Sequence, residues 1–262
     1  MEHPWSTALV TGASSGIGES FSTLLAEGGV DVVLVARRAD RLETLATTLR
    51  SHGVTVEVLA ADLGEAAGRD LVAQRLADRE RVIDLLVNCA GIGAATGFGD
   101  GDLERYRQII DVNIGAVVDL THAAIKPMAK RRKGWIINVS SLGGHAPGPG
   151  FAVYSASKAF VTSLSESLHE EYRTKGVVIT AVCPGATRTE FGADTGAIDQ
   201  DLPSVLWQEA AEVAQEGLTA AAAGRAVRVT GWPNRLAANF TALVPRLVRR
   251  RVAGMVTAKL SS

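Results

Sequence analysis

The sequence predicts a doubly wound α/β fold: one parallel sheet with helices on both faces. Three observations predict it. Short apolar runs alternate with longer helical patterns along the 262 residues. Most of the runs are near-continuous in Val, Ile and Leu, as strands covered on both faces require. A glycine-rich turn, Thr11–Gly18, joins the first run to the first helical pattern, where a doubly wound sheet binds phosphate.

In order along the chain, strands are expected at Thr7–Val10, Val32–Ala36, Val54–Ala60, Ile83–Asn88, Trp135–Val139, Val177–Cys183 and Ala226–Val229. Helices are expected at Ile17–Glu27, Asp40–Ser51, Ala66–Asp78, Leu103–Lys130, Ala152–Lys175 and Pro203–Ala222. A last helical pattern, Asn234–Leu260, is interrupted by Pro245. The alternation gives βαβ units. Two stretches break it. Gly143–Gly150 holds too many breakers for a strand or a helix. The stretch from Gly185 to about Pro203 has the length and composition of a loop that covers a site. No tandem repeat or linker divides the chain. A single domain over 1–262 is expected, with a lid at about 186–222 and a basic helical tail at about 234–260.

Composition narrows the class. Hydrophobic residues make up 47% of the chain, enough for a large core. No charge-free apolar run reaches the ~18 residues of a membrane span, and the N-terminus lacks a basic-then-apolar leader. Cys89 and Cys183 are too few for a disulfide framework, which fits a reducing cytoplasm. The net charge of −1 hides an asymmetry: residues 217–262 carry +8 and no acid, leaving −9 on the remainder. Such a tail is a solvated or packed helix face, or a contact for a phosphorylated substrate, an acidic carrier protein or a lipid surface.

The glycine turn has the spacing G-x-x-x-G-x-G. Gly12 can take a backbone conformation closed to other residues. Gly16 and Gly18 let a phosphate and the sheet approach the main chain. The N–H groups of Ser14, Ser15, Gly16, Ile17 and Gly18 then stand at a helix start, whose dipole favours a pyrophosphate. The second strand ends in Ala36 and is followed by Arg37 and Arg38. A carboxylate there would select NAD(H). Arginine, which pairs with phosphate through forked hydrogen bonds, selects NADP(H).

Tyr154 and Lys158 are four apart on one helix face, and Ser141 precedes Tyr154 by thirteen positions. Hydride addition to a ketone leaves an alkoxide that needs a proton. A tyrosine beside an ammonium supplies it, the ammonium drawing the phenol down from its ordinary value near 10. Ser141 polarises the carbonyl. His122, His145 and His169 have no metal-like spacing.

On these motifs, with Asp62-Leu63, Asn88-Cys89-Ala90-Gly91, Asn113, Ser140-Ser141, Tyr154-Ser155-Ala156-Ser157-Lys158 and Pro184-Gly185 with Thr189, the chain resembles the short-chain dehydrogenase/reductase family over nearly its whole length. The resemblance implies a Rossmann fold with seven parallel strands in the order 3-2-1-4-5-6-7. It implies a catalytic set of Asn113, Ser141, Tyr154 and Lys158, in which Asn113 holds a water linking Lys158 to solvent. It implies that Asp62, with Leu63 beside it, contacts adenine, and that Asn88, Ala90 and Gly91 line the adenosine ribose. Lys158 would hold the nicotinamide ribose, and Pro184, Gly185, Thr187 and Thr189 would surround the nicotinamide. Cys89 stands where the family more often has asparagine, with no loss of function expected, and Cys89 and Cys183 should end non-neighbouring strands.

The expected activity is hydride transfer between NADP(H) and a ketone, aldehyde or secondary alcohol. An apolar substrate is expected, a 3-oxoacyl or other lipid-like carbonyl among the candidates. The competing reading is a dinucleotide-binding sensor or scaffold without turnover. By the same resemblance the chain forms a homodimer or homotetramer through its long helices.

Overall fold

The computed structural model describes residues 4–191, 204–245, 247, 248, 250 and 251. Seven parallel strands form one sheet: β1 (Thr7–Thr11), β2 (Asp31–Ala36), β3 (Val56–Ala60), β4 (Leu85–Asn88), β5 (Gly134–Val139), β6 (Val177–Cys183) and β9 (Val227–Val229), in the order β3-β2-β1-β4-β5-β6-β9. This is the expected Rossmann order. Two short strands, β7 (Thr187–Arg188) and β8 (Gln208–Glu209), pair outside it.

Strand side chains alternate between two cores. Ala8, Val10, Val32, Leu34, Leu85 and Val87 point to one face, under α1 (Gly16–Glu27), α2 (Ala39–Arg50) and α7 (Ala210–Ala222). Leu9, Val33, Val35 and Leu86 point to the other, under α3 (Ala66–Ala77) and α5 (Ala116–Arg131), with Leu168 and Tyr172 of α6 (Ala152–Tyr172) at its margin. Burial on both faces explains the unbroken apolar runs in the sequence. Cys89 follows β4 directly and Cys183 ends β6, with β5 between the two strands, and both are free thiols.

Three expected helices differ in outcome. Leu103–Lys130 is interrupted: α4 (Leu103–Ile110) passes into a π turn, Asp111–Gly115, before α5. A π turn widens the hydrogen-bond register by one residue without changing composition, so the sequence pattern runs straight through it. Pro203–Ala222 is not one helix. Ser204–Leu206 is a 3-10 turn, Gln208–Glu209 pairs with β7, and α7 starts at Ala210 behind a capping box of Glu209 and Glu212. Ala152–Lys175 ends as α6 at Tyr172 plus a 3-10 turn, Arg173–Lys175. The helix α8 (Trp232–Leu243) ends before Pro245, and the described residues beyond it, 247, 248, 250 and 251, are helical again. The lid residues 192–203 and the end of the tail, residues 252–262, lie outside the described residues. No described helix is long and apolar enough to cross a membrane.

Buried polar side chains stitch the layers beneath the sheet's carboxyl end. Asn88 of β4 donates to Thr121 Oγ1 of α5 at 3.1 Å and to Asn138 Oδ1 of β5 at 2.9 Å. Asn138 donates to Ser165 Oγ of α6 at 2.9 Å.

Candidate active site

The carboxyl ends of the strands open into a cleft of about 890 Å³, the place where open α/β sheets bind ligands. Its floor is the turn after β1. Thr11 Oγ1 accepts the N–H groups of Cys89 at 3.0 Å and Ala90 at 3.1 Å, tying the ends of β1 and β4 together. Gly12 has φ +68° and sits against Ala90, where a Cβ would stand 2.9 Å from the Ala90 backbone. A Cβ at Gly18 would strike the Gly12 carbonyl. Glycine is therefore required at both ends of the turn. Ser15, at the N-terminus of α1, makes no side-chain capping bond. The first-turn N–H groups are left for an anion.

One rim of the cleft is basic. β2 ends at Ala36 with no acid. Arg37 is exposed, its Nη1 3.9 Å from Asp62 Oδ2. Arg38 folds back on the glycine turn, donating to Ser14 Oγ at 3.0 Å and Ser15 Oγ at 3.1 Å. Asp62 accepts the Gly64 N–H at 2.9 Å, which shapes the turn that buries Leu63. Arg69, held by Asp119 at 2.8 Å, donates to the Leu63 and Gly64 carbonyls from below.

At the other end Ser141 leaves β5 and accepts the Gly143 N–H at 3.0 Å. Its hydroxyl lies near enough to the Tyr154 phenol to favour the phenolate. Ser140 turns inward, donating to the Lys158 carbonyl at 2.7 Å, so only Ser141 is left to meet Tyr154. Phe151 and Phe191 flank the Tyr154 ring, with centroids 6.4 and 5.4 Å away. Lys158, one turn on, is buried, and its Nζ donates to the Val139 carbonyl at 2.9 Å. Burial lowers it to about 8. Burial conversely pushes Cys89 up to about 12, which keeps that thiol neutral and unreactive.

The expectation that Lys158 draws the Tyr154 phenol down is not met. Burial raises Tyr154 above its ordinary value, and the opposing pull comes from the Ser141 hydroxyl. The Lys158 Nζ stands 5.8 Å from the tyrosine ring centroid and spends a bond on Val139. Its field therefore does not offset the lost solvation of a phenolate.

The structure brings Gly12, Ser14, Ser15, Gly16, Ile17, Gly18, Arg37, Arg38, Asp62, Leu63, Ala90, Gly91, Ser141, Tyr154, Lys158, Pro184, Gly185, Thr187 and Thr189 to the cleft wall. Two expected residues stand behind it. Asn88 is held by Thr121 and Asn138 and does not line the cleft. Asn113, fully buried in the π turn, accepts the Ile92 N–H at 2.9 Å and donates to the Ile92 carbonyl and Ser157 Oγ, both at 3.0 Å. Gly91 separates it from the lysine: a Cβ there would lie 3.3 Å from Lys158 Nζ and 3.5 Å from Asn113 Oδ1. The substrate side is tied down by Leu142, whose N–H meets the Pro184 carbonyl at 2.7 Å, and by Thr187, which donates to the Gly185 carbonyl at 3.1 Å. Sequence reasoning missed Phe151, Glu190 and Phe191 on the wall. The Glu190 partners lie about 150 positions upstream, and no local pattern points to them.

A family model described as short chain dehydrogenase matches residues 6–199. The chain belongs to the short-chain dehydrogenase family. A short-chain dehydrogenase of Sphingobium yanoikuyae, solved with NADPH, superposes with a TM-score of 0.81 at 36% identity, covering 98% of this chain and 95% of that one. A bulky-bulky ketone specific alcohol dehydrogenase of Comamonas testosteroni superposes at 0.78 with 30% identity, covering 92% and 95%. An uncharacterized oxidoreductase of Myxococcus xanthus is 39% identical over 193 residues, 73% of this chain and 76% of its own length. As a short-chain dehydrogenase, the protein is an oxidoreductase of CH–OH and C=O groups that binds a nicotinamide dinucleotide.

Proposed function

We propose that this short-chain dehydrogenase uses NADP(H) to reduce an apolar ketone or aldehyde, or to run the reverse alcohol oxidation. The observation that carries the reaction type is Ser141 and Tyr154 together on the cleft wall with the Lys158 ammonium buried beside them. The glycine turn fits a dinucleotide pyrophosphate, since a Cβ at Gly12 or Gly18 would fill the close approach that the turn needs. Arg37 and Arg38, at the acid-free end of β2, would take the 2′-phosphate. Asp62 and Leu63 would meet the adenine, Ala90 and Gly91 the adjacent ribose, and Pro184, Gly185, Thr187 and Thr189 the nicotinamide. When bound, the nicotinamide supplies or accepts the hydride.

The chain's own groups handle the oxygen and the proton. The Ser141 hydroxyl donates to the carbonyl oxygen and stabilises the charge that develops there. Tyr154, kept protonated by burial, gives its phenolic proton to the alkoxide. The Lys158 ammonium would hold the nicotinamide ribose and favour the transient phenolate. The gap beside Gly91, between Lys158 and Asn113, suits a water that returns the proton.

Leu142, Phe151 and Phe191 around Tyr154 support an apolar substrate. Exposed Ile110, Val118 and Phe160 on α4, α5 and α6 support assembly through those helices. Two free cysteines fit a reducing cytoplasm.

The test is turnover on a carbonyl panel graded by size and acyl length. Tyr154→Phe should lose about 10²–10⁴ in rate. Equal rates in wild type and variant would refute the mechanism.

A further inference from the structure

Glu190 follows β7 and reaches across the mouth of the cleft to the basic rim. Its Oε1 accepts from Arg41 Nη1 at 2.7 Å, and its Oε2 accepts from Arg41 Nη1 at 2.9 Å and Arg38 Nη1 at 3.1 Å. The two guanidiniums hold its carboxyl below the ordinary range, Arg41 more strongly than Arg38. The preceding residue lies on the glycine turn: a Cβ at Gly16 would stand 2.9 Å from Thr189 Cγ2. Glu190 is thus carried by a residue packed on the turn and placed over the arginines. Glu190, Arg38 and Arg41 are 50%, 42% and 45% exposed, so the pairing is open to exchange with a solute.

A carboxylate seated on two guanidiniums has the bonding pattern of a phosphate monoester, with oxygen acceptors facing guanidinium N–H donors. We propose that Glu190 competes with the cofactor's 2′-phosphate for Arg38 and Arg41, and that this competition sets how strongly the enzyme prefers NADP(H) to NAD(H). Arg41 becomes a third member of the phosphate site, beside Arg37 and Arg38. The inference rests on the NADP(H) reading above. A 2′-phosphate brings up to two charges against one on Glu190 and displaces it. The 2′-hydroxyl of NAD(H) brings none and leaves the arginines with Glu190.

The test is calorimetric titration of the full chain with NADP⁺ and with NAD⁺. Glu190→Gln keeps the shape of an exposed side chain and removes its charge. It should tighten NADP⁺ about three- to tenfold, the scale of one exposed ion-pair cluster, and leave NAD⁺ unchanged. In an Arg38→Ala/Arg41→Ala background the same substitution should change neither ligand. Unchanged or weaker NADP⁺ binding in Glu190→Gln, or equal tightening of both ligands, overturns the competition. The arginine variant by itself tests the cofactor reading. If it keeps the wild-type NADP⁺ preference, Arg38 and Arg41 do not hold the phosphate and the competition falls while Arg37 can still carry the cofactor reading; if the wild type has no preference, the cofactor reading falls and the competition with it. If the preference is lost with the arginines while Glu190→Gln leaves NADP⁺ binding alone, only the competition falls.

Discussion

Replacing Lys158 by methionine separates the cost of a buried charge from its catalytic use. Burial takes the Lys158 ammonium from 10.5 to about 8. At about 1.4 kcal/mol per pH unit, holding that charge costs the fold on the order of 3 kcal/mol. The sign follows from linkage. The folded state loses the proton near pH 8 and the unfolded chain near 10.5, so between them the unfolded chain binds more protons and stability rises with pH. The penalty is fully present below pH 8 and gone above 10.5. Methionine fills a similar volume without charge but gives Val139 no donor, which returns about 1–2 kcal/mol. Lys158→Met should therefore be about 1–2 kcal/mol more stable than wild type at pH 7, or about 2–4 °C in Tm for a chain of this size. By pH 10.5 the order should reverse, because the neutral amine still donates to Val139. Urea unfolding of both proteins at one concentration across this range measures the difference. A difference that stays flat from pH 7 to 10.5 would show that Lys158 is not held at a depressed value and would refute the reasoning. Turnover should be lost at every pH.

Two further substitutions probe the cleft and its support. Gly18→Ala places a Cβ on the Gly12 carbonyl; shifting the turn should weaken dinucleotide binding by roughly tenfold or more and cost about 1–3 kcal/mol. Calorimetry and urea unfolding would read both, and wild-type affinity would show that the turn tolerates the side chain. Asn88→Ala strips Asn138 Oδ1 and Thr121 Oγ1 of a buried partner and should cost about 1–3 kcal/mol in unfolding free energy. A loss below ~0.5 kcal/mol would mean that those atoms find other partners.

The strands were legible because burial on both faces leaves a contiguous apolar record in each run. Val177–Cys183 agrees with the structure at both ends, and the glycine turn was legible because backbone crowding admits no side chain. What escaped depends on registers and distances that composition does not carry. The π turn at Asp111–Gly115 turns Asn113 inward onto Ile92 and Ser157, yet its residues suit an ordinary helix. Trp207 and Gln208 read as part of the helix Pro203–Ala222, but the Gln208 N–H bonds the Ala186 carbonyl at 2.9 Å and extends the chain beside β7. The Tyr154 shift reversed its expected direction because spacing shows that Lys158 is near, not how thoroughly both groups are withdrawn from water.

The amide chain from Thr121 through Asn88 and Asn138 to Ser165 has a consequence for how the sheet assembles. Parallel strands are joined by long helical crossovers, so no tight hairpin dictates how β4 and β5 align. Asn88 and Asn138 are direct partners across that pair. Sliding β5 by one residue would carry the Asn138 amide to the opposite, apolar face and orphan the groups it leaves, at a cost of several kcal/mol. Aliphatic contacts forgive such a slip; these amides do not. They act as an alignment mark, read only when the two strands are brought together correctly.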